Sequence, residues 1–127
     1  MKRIYSLTVN EQSIGYTEFE YADPPMGIVH GKIIFEGIKS PYQLFRNHCL
    51  EYNVQINNDD LAKKFIATAI IPQLKTLLPN GEELSGEGGA ITGMDPDNFE
   101  IEFYGITSDL MQSEFERHLI KYYGKQE

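Results

Sequence analysis

The amino-acid sequence predicts an α+β domain, a mainly antiparallel sheet of about six strands with two main helices packed on one face. Three observations predict it. Residues 4–9, 16–21, 28–35 and 99–104 alternate in the period of two that marks strands. Apolar residues recur at helical three- and four-residue spacing in two places, Tyr42 to Tyr52 and Met111 to Tyr122. The order of elements, strands then a helix then strands then a closing helix, is that of α+β folds rather than of regularly alternating α/β ones. At 127 residues, 41% hydrophobic and 12% aromatic, residues 1–127 are read as one folded domain.

Tyr5, Leu7 and Val9 share one strand face, and the turn-forming residues Asn10 to Ser13 lead to a hairpin partner in which Thr17, Phe19 and Tyr21 alternate with Tyr16, Glu18 and Glu20. Asp23-Pro24-Pro25-Met26-Gly27 makes a rigid corner, because two prolines lack donors and fix φ. Residues 28–35 form a third strand with both faces partly covered. Ser40-Pro41 opens a helix of about three turns whose stripe is Tyr42, Phe45, Cys49 and Tyr52. Asn57-Asn58-Asp59-Asp60 caps a short second helix through Leu61 to Phe65 or begins an irregular connection. Strand character returns around Pro72, and Asn80-Gly81 predicts a type I′ hairpin pairing residues 74–78 with those from Glu82 onward. Gly86, Gly88 and Gly89 mark a bulged stretch, Asp95 to Asn98 a turn, and Phe99, Ile101 and Phe103 the core face of the clearest strand. Ser108 and Asp109 start the last helix, with Met111, Phe115, Leu119 and Tyr122 inward and Gly124 as its stop. Phe99, Ile101, Phe103, Phe115 and Leu119 are expected to form one core.

Charge is distributed unevenly. Residues 76–116 hold ten acids and no lysine or arginine, while the rest has nine acids and eleven bases, so this segment accounts for the net charge of −8. Such a field repels nucleic acid and anionic lipid and attracts basic protein surfaces. A single cysteine, Cys49, makes no internal disulfide, and no uninterrupted apolar run suits a signal peptide or a bilayer span, so the chain is expected to be cytoplasmic or at least independent of oxidation. Zinc-type pairs, a G-x-S-x-G elbow and a phosphate-binding glycine loop are absent, so no catalytic residue, metal ligand or cofactor is assigned. Glu100 and Glu102, like Glu18 and Glu20, lie two apart on a strand, as exposed acids or as a carboxylate pair.

The string from Phe19 to Gly31, F-E-Y-A-D-P-P-M-G-I-V-H-G, resembles an L-E-x-x-D-P-P-M-G-V-A-x-G signature of small, mostly uncharacterised bacterial proteins. Asn80-Gly81, Gly88-Gly89, Asp95, Gly105-Ile106, His118 and Tyr122 follow in the order found in that group. Phe19 departs from the signature leucine, and residues 53–71 have no counterpart. Some members look like immunity partners of bacterial toxins.

Charge and resemblance together imply an immunity protein that binds and neutralises a basic toxin, a nuclease of a contact-dependent or polymorphic system. The candidate contacts are Glu82, Glu83, Glu87, Asp95, Asp97, Glu100 and Glu102, with neither nucleic acid nor membrane as partner. The alternative is a small enzyme or ligand-binding domain using Tyr, His and Glu in a sheet–helix cleft, marked by His118 or His30 against a carboxylate. A third reading is a homodimer subunit, marked by an exposed apolar patch.

Overall fold

Strands β1 (Tyr5–Val9) and β2 (Gln12–Thr17) pair across the two-residue turn Asn10-Glu11, both residues at positive φ, 50° and 69°. That is the twist a tight hairpin needs. The computed structural model describes residues 3–124. After the hairpin come β3 (Tyr21–Asp23), a single 3-10 turn (Pro24–Met26), β4 (Ile28–Phe35), α1 (Pro41–Tyr52), β5 (Ile56–Asp60), β6 (Phe65–Thr68), β7 (Leu74–Leu77), β8 (Gly88–Met94), β9 (Asn98–Tyr104), α2 (Ser108–Glu114) and α3 (Glu116–Tyr123). The fold is α+β. One antiparallel sheet runs in the order β5-β6-β8-β9-β4-β2-β1-β7, with β3 also on β4. No helix of the described residues is long and apolar enough to cross a membrane.

The sheet has nine strands rather than about six, and the helices number three among the described residues. One extra strand arises where the 16–21 run breaks. Phe19 takes φ 45° and tucks beneath β4 at Gly31, where a Cβ would lie 2.9 Å from Phe19 Cα. Only glycine permits that approach. Two more replace the short helix expected after residues 57–60, because β5 and β6 form a hairpin there. The last helix is interrupted at Phe115 (φ −118°, ψ 34°), which ends α2 and opens α3.

Asn80-Gly81 does not make a type I′ turn. Gly81 N–H donates to Leu78 O at 2.8 Å, so Pro79 occupies the turn's second position, and only Gly81 of the pair has positive φ. The expected return strand is reduced to a bridge between Leu77 and Glu83. At the far end of the strand order, β7 curls toward β8. Ile71 N–H donates to Gly89 O at 2.9 Å, and a Cβ on Gly89 would lie 3.5 Å from the Leu74 side chain.

Tyr5, Leu7, Ile33, Phe99, Ile101 and Phe103 are buried on one face of the curved sheet. Phe45 of α1 meets Phe35 and Phe99, with ring centroids 6.2 and 5.8 Å apart, and Phe115 meets Tyr5 and Phe19 at 5.5 and 6.1 Å. Each such ring contributes about 1.5 to 3 kcal/mol of burial. The five residues expected to form one core all belong to it, Leu119 at its margin. Phe115, however, sits against β1 and the Phe19 kink, and α1 supplies the ring over Phe99.

Candidate functional site

Strand alternation that sends Val29, Ile33, Ile101 and Phe103 inward sends His30, Lys32, Ile34, Glu100, Glu102 and Tyr104 outward. Register sets these side chains in rows. Tyr21, His30 and Glu102 lie side by side across β3, β4 and β9, and Lys32, Glu100 and Thr92 across β4, β9 and β8. Glu100, Glu102, Thr92, Lys32 and Tyr21 are all exposed. Two glutamates two positions apart on one strand thus point to solvent near the middle of a wide sheet.

Their surroundings are polar and aromatic. The Tyr21 ring stacks on His30 at 5.2 Å and 25°. His30 Nδ1 is buried without a hydrogen-bond partner and lies 3.7 Å from Glu100 Oε1, too far for a hydrogen bond but close enough for an ion pair when the ring is protonated. Tyr104 donates to Glu102 Oε1 at 2.5 Å, and its phenol is pushed up to about 12, first by burial and then by that carboxylate. Beside this pair a shallow groove of about 360 Å³ runs between Phe65, Thr92, Gly93, Asn98, Glu100 and Glu102.

The other predicted acids lie elsewhere. Asp95 sits in the turn between β8 and β9 and is committed to α1. One carboxylate oxygen accepts from Ser40 Oγ at 2.5 Å and the other from Tyr42 N–H at 2.7 Å. Ser40 in turn accepts from Gln43 N–H at 3.2 Å as the N-cap, so Asp95 is part of how the helix starts. Asp97 is exposed at the tip of the same turn. Glu82 and Glu83 line an open cleft of about 500 Å³ with Thr107, Asp109 and Leu110, and Glu83 pairs with Lys75 at 3.3 Å. Glu87 packs over Gly105 at the end of β9. A seven-residue strand is about 20 Å long. The acids therefore divide among the sheet face, the β8–β9 turn and the opposite end of that hairpin, and the structure brings only Glu100 and Glu102 together on open sheet.

His30, Tyr21 and Lys32 become neighbours of that pair only through strand pairing. Alternation placed Glu100, Glu102 and Tyr104 outward, but no local signal shows that β4 pairs with β9.

The nucleophile and base candidates are engaged or masked. Cys49 is buried, and burial pushes its thiol up to about 11, so it is protonated at neutral pH. His48 bonds Gln73 Oε1 at 2.9 Å and stacks on Tyr52. His118 is buried with Nε2 2.6 Å from Phe19 O, which fixes Nε2 as the donor because a carbonyl only accepts. Arg117 donates to Glu18 O and Phe19 O, so two side chains of α3 hold the kink of the chain at Phe19. Burial foremost, with Arg117, Lys121 and His30 close by, lowers the His118 pKa below 6.5. The cleft between β3 and α3, about 330 Å³, is lined by Glu20, Tyr21, Ala22, His118, Lys121 and Tyr122. Its histidine bonds a carbonyl, and the histidine beside a carboxylate is His30, on the open sheet. Among the described residues no group of three or more His, Cys, Asp and Glu is arranged to hold a metal.

No family model matches the chain, and neither a curated protein nor a solved structure does.

Proposed function

We propose that this protein is a binding protein of the immunity type, cytoplasmic, which neutralises a basic toxin by docking it on the outward sheet face around Glu100 and Glu102. The observation that carries the reading is the placement of these two carboxylates. They stand exposed on a broad sheet, flanked by Tyr21, His30 and Tyr104, within a 41-residue segment that has no lysine or arginine. Rigid tyrosines beside exposed charge are the side chains that anchor interfaces, and an acidic field accelerates encounter with a cationic groove such as a nuclease offers. The resemblance of the Phe19 to Gly31 string to proteins that look like toxin partners points the same way. Glu82, Glu83, Glu87 and Asp97 lie outside this face and add to its long-range field, whereas Asp95 serves the helix.

The test is association kinetics with the product of the adjacent gene, measured at several salt concentrations. Glu100→Gln/Glu102→Gln should lower the on-rate about tenfold or more at low salt and flatten its salt dependence. Neutralising Glu82, Glu83, Glu87 and Asp97 should have a smaller effect of the same sign. Equal on-rates and equal salt slopes for parent and double variant would remove the sheet face from the mechanism.

A further inference from the structure

Half of the large hydrophobic residues exposed on the described surface gather at one corner. Tyr21 of β3, Met26 of the 3-10 turn, and Ile120, Tyr122 and Tyr123 of α3 are each more than half exposed. They are contiguous. Tyr122 and Tyr123 pack ring to ring at 4.9 Å, Lys121 Nζ lies 6.0 Å from the Tyr21 ring, and Tyr21 and Tyr122 line the same cleft. Ile120 is three residues from Tyr123, hence its neighbour on the helix surface, and α3 packs directly on the 3-10 turn that carries Met26. Phe115 and His118 tie the start of α3 to the core, but Tyr122, nearly in line with them, runs past the sheet, and Ile120 points away from it.

We propose that this corner is a self-association surface, where a second copy of the chain docks α3 against α3 about a two-fold axis. Two arguments select a second copy. The first is area. Three tyrosines of about 200 Å² each, more than half exposed, with Ile120 and Met26, present on the order of 500 Å² of side chain. A stable pair buries about 800 Å² per partner, some 65% of it apolar at a homodimer interface, so the corner supplies what one half of such an interface requires. The second is charge. The net charge of −8 opposes self-association, and the segment that creates it would meet its own sign in a second copy. The corner carries both signs, with Lys121 and Glu20 lining the same cleft, so an isologous arrangement brings the lysine of each copy toward Glu20 of the other. This inference does not depend on the toxin-binding reading.

The experiment is sedimentation equilibrium of the full chain from submicromolar to high micromolar concentration, with far-UV melts of every variant. The parent should approach twice the 14.5 kDa chain mass as concentration rises. Ile120→Glu and Tyr123→Glu, each placing a charge at the centre of the patch, should raise the dissociation constant at least about tenfold while melting with the parent. Lys121→Glu should weaken association without touching the apolar centre, and it serves as the reading should either of the first two fail to fold. Glu100→Gln/Glu102→Gln, which lies outside the apolar patch and lowers the net negative charge, should leave association unchanged or tighten it. A parent that sediments as a single chain at all concentrations, or a dimer indifferent to these substitutions in α3, would overturn the proposal and leave the corner to an unlike partner.

Discussion

His118 is buried in a site that favours its neutral form, close to Arg117 and Lys121 of its own helix and to His30 of β4, with Glu20 the one acid among the described residues lining the adjoining cleft. Its folded pKa lies below the unfolded 6.5, so near pH 6 the unfolded chain binds more protons than the folded one. Stability from this group is therefore fully present above about pH 6.5 and is lost as pH falls through the lower folded value. Gln at this position retains an N–H for Phe19 O but does not titrate. His118→Gln should cost about 1 kcal/mol at pH 8 and show a flatter decline toward pH 5, measured by denaturant unfolding across that range. Parallel pH profiles for parent and variant would mean that the imidazole is not the group responsible. Glu114 stands four residues before His118, one helical turn away, but the fold does not pair them. Glu114 instead accepts from Arg3 and Tyr5, each at 2.8 Å, and His118 bonds a carbonyl 99 residues away in the chain.

Helix α1 begins where two distant pieces of chain meet. Ser40 caps it locally, while Asp95, 55 residues further on, accepts from both Ser40 Oγ and Tyr42 N–H. Asp95→Ala strands a partly buried hydroxyl and an amide, and should destabilise the fold by about 1 to 3 kcal/mol in denaturant melts, whereas Asp97→Ala should cost less than about 0.5. Equal, small effects would show that solvent satisfies those donors. The pair also shows what was legible. Ser40-Pro41 located the start of α1 and the stripe through Tyr52 its length of about three turns, because cap and periodicity are local signals, whereas its end at the left-handed Asn53 had none. Asp95 read as one more surface acid, because its partners lie across the fold. Residues 57–60 read as a helix cap for a similar reason. Their polarity suits a cap, but Asp59 instead accepts from Tyr42 and Arg46 of α1, and the backbone pairs with β6 as an edge strand. The strand break at Phe19 was hidden as well, since alternation continues through residues 16–21 and only the approach to Gly31 displaces the chain.

At the scale of the molecule, the fold gathers its apolar side chains inside a curled sheet and leaves two like charges on the outer face. The strand carrying Glu100 and Glu102 was the clearest in the sequence, so their outward direction was legible, but the breadth of the surface around them depends on a strand order that no local pattern encodes. Charges serving stability would be expected to have close bases. Here Glu102 accepts from a tyrosine and Glu100 lies 3.7 Å from a histidine, while Lys32, the register neighbour of Glu100, and the other lysines and arginines of the described residues stand outside ion-pair distance of both. If these acids are kept for binding rather than for folding, removing them should cost nothing and relieve part of the self-repulsion of a chain at −8. Glu100→Gln/Glu102→Gln should therefore match the parent within about 0.5 kcal/mol or exceed it at low salt. The parent should gain stability as salt is raised toward 1 M, where the screening length is about 3 Å, and the variant should gain less because part of the repulsion is already gone. Guanidinium is itself a salt, so the measurement is urea unfolding at low and high sodium chloride. A variant clearly less stable than the parent at both salt concentrations would assign the two glutamates to the fold, through Tyr104 and His30, and the case for a basic partner on this face would lose its principal support.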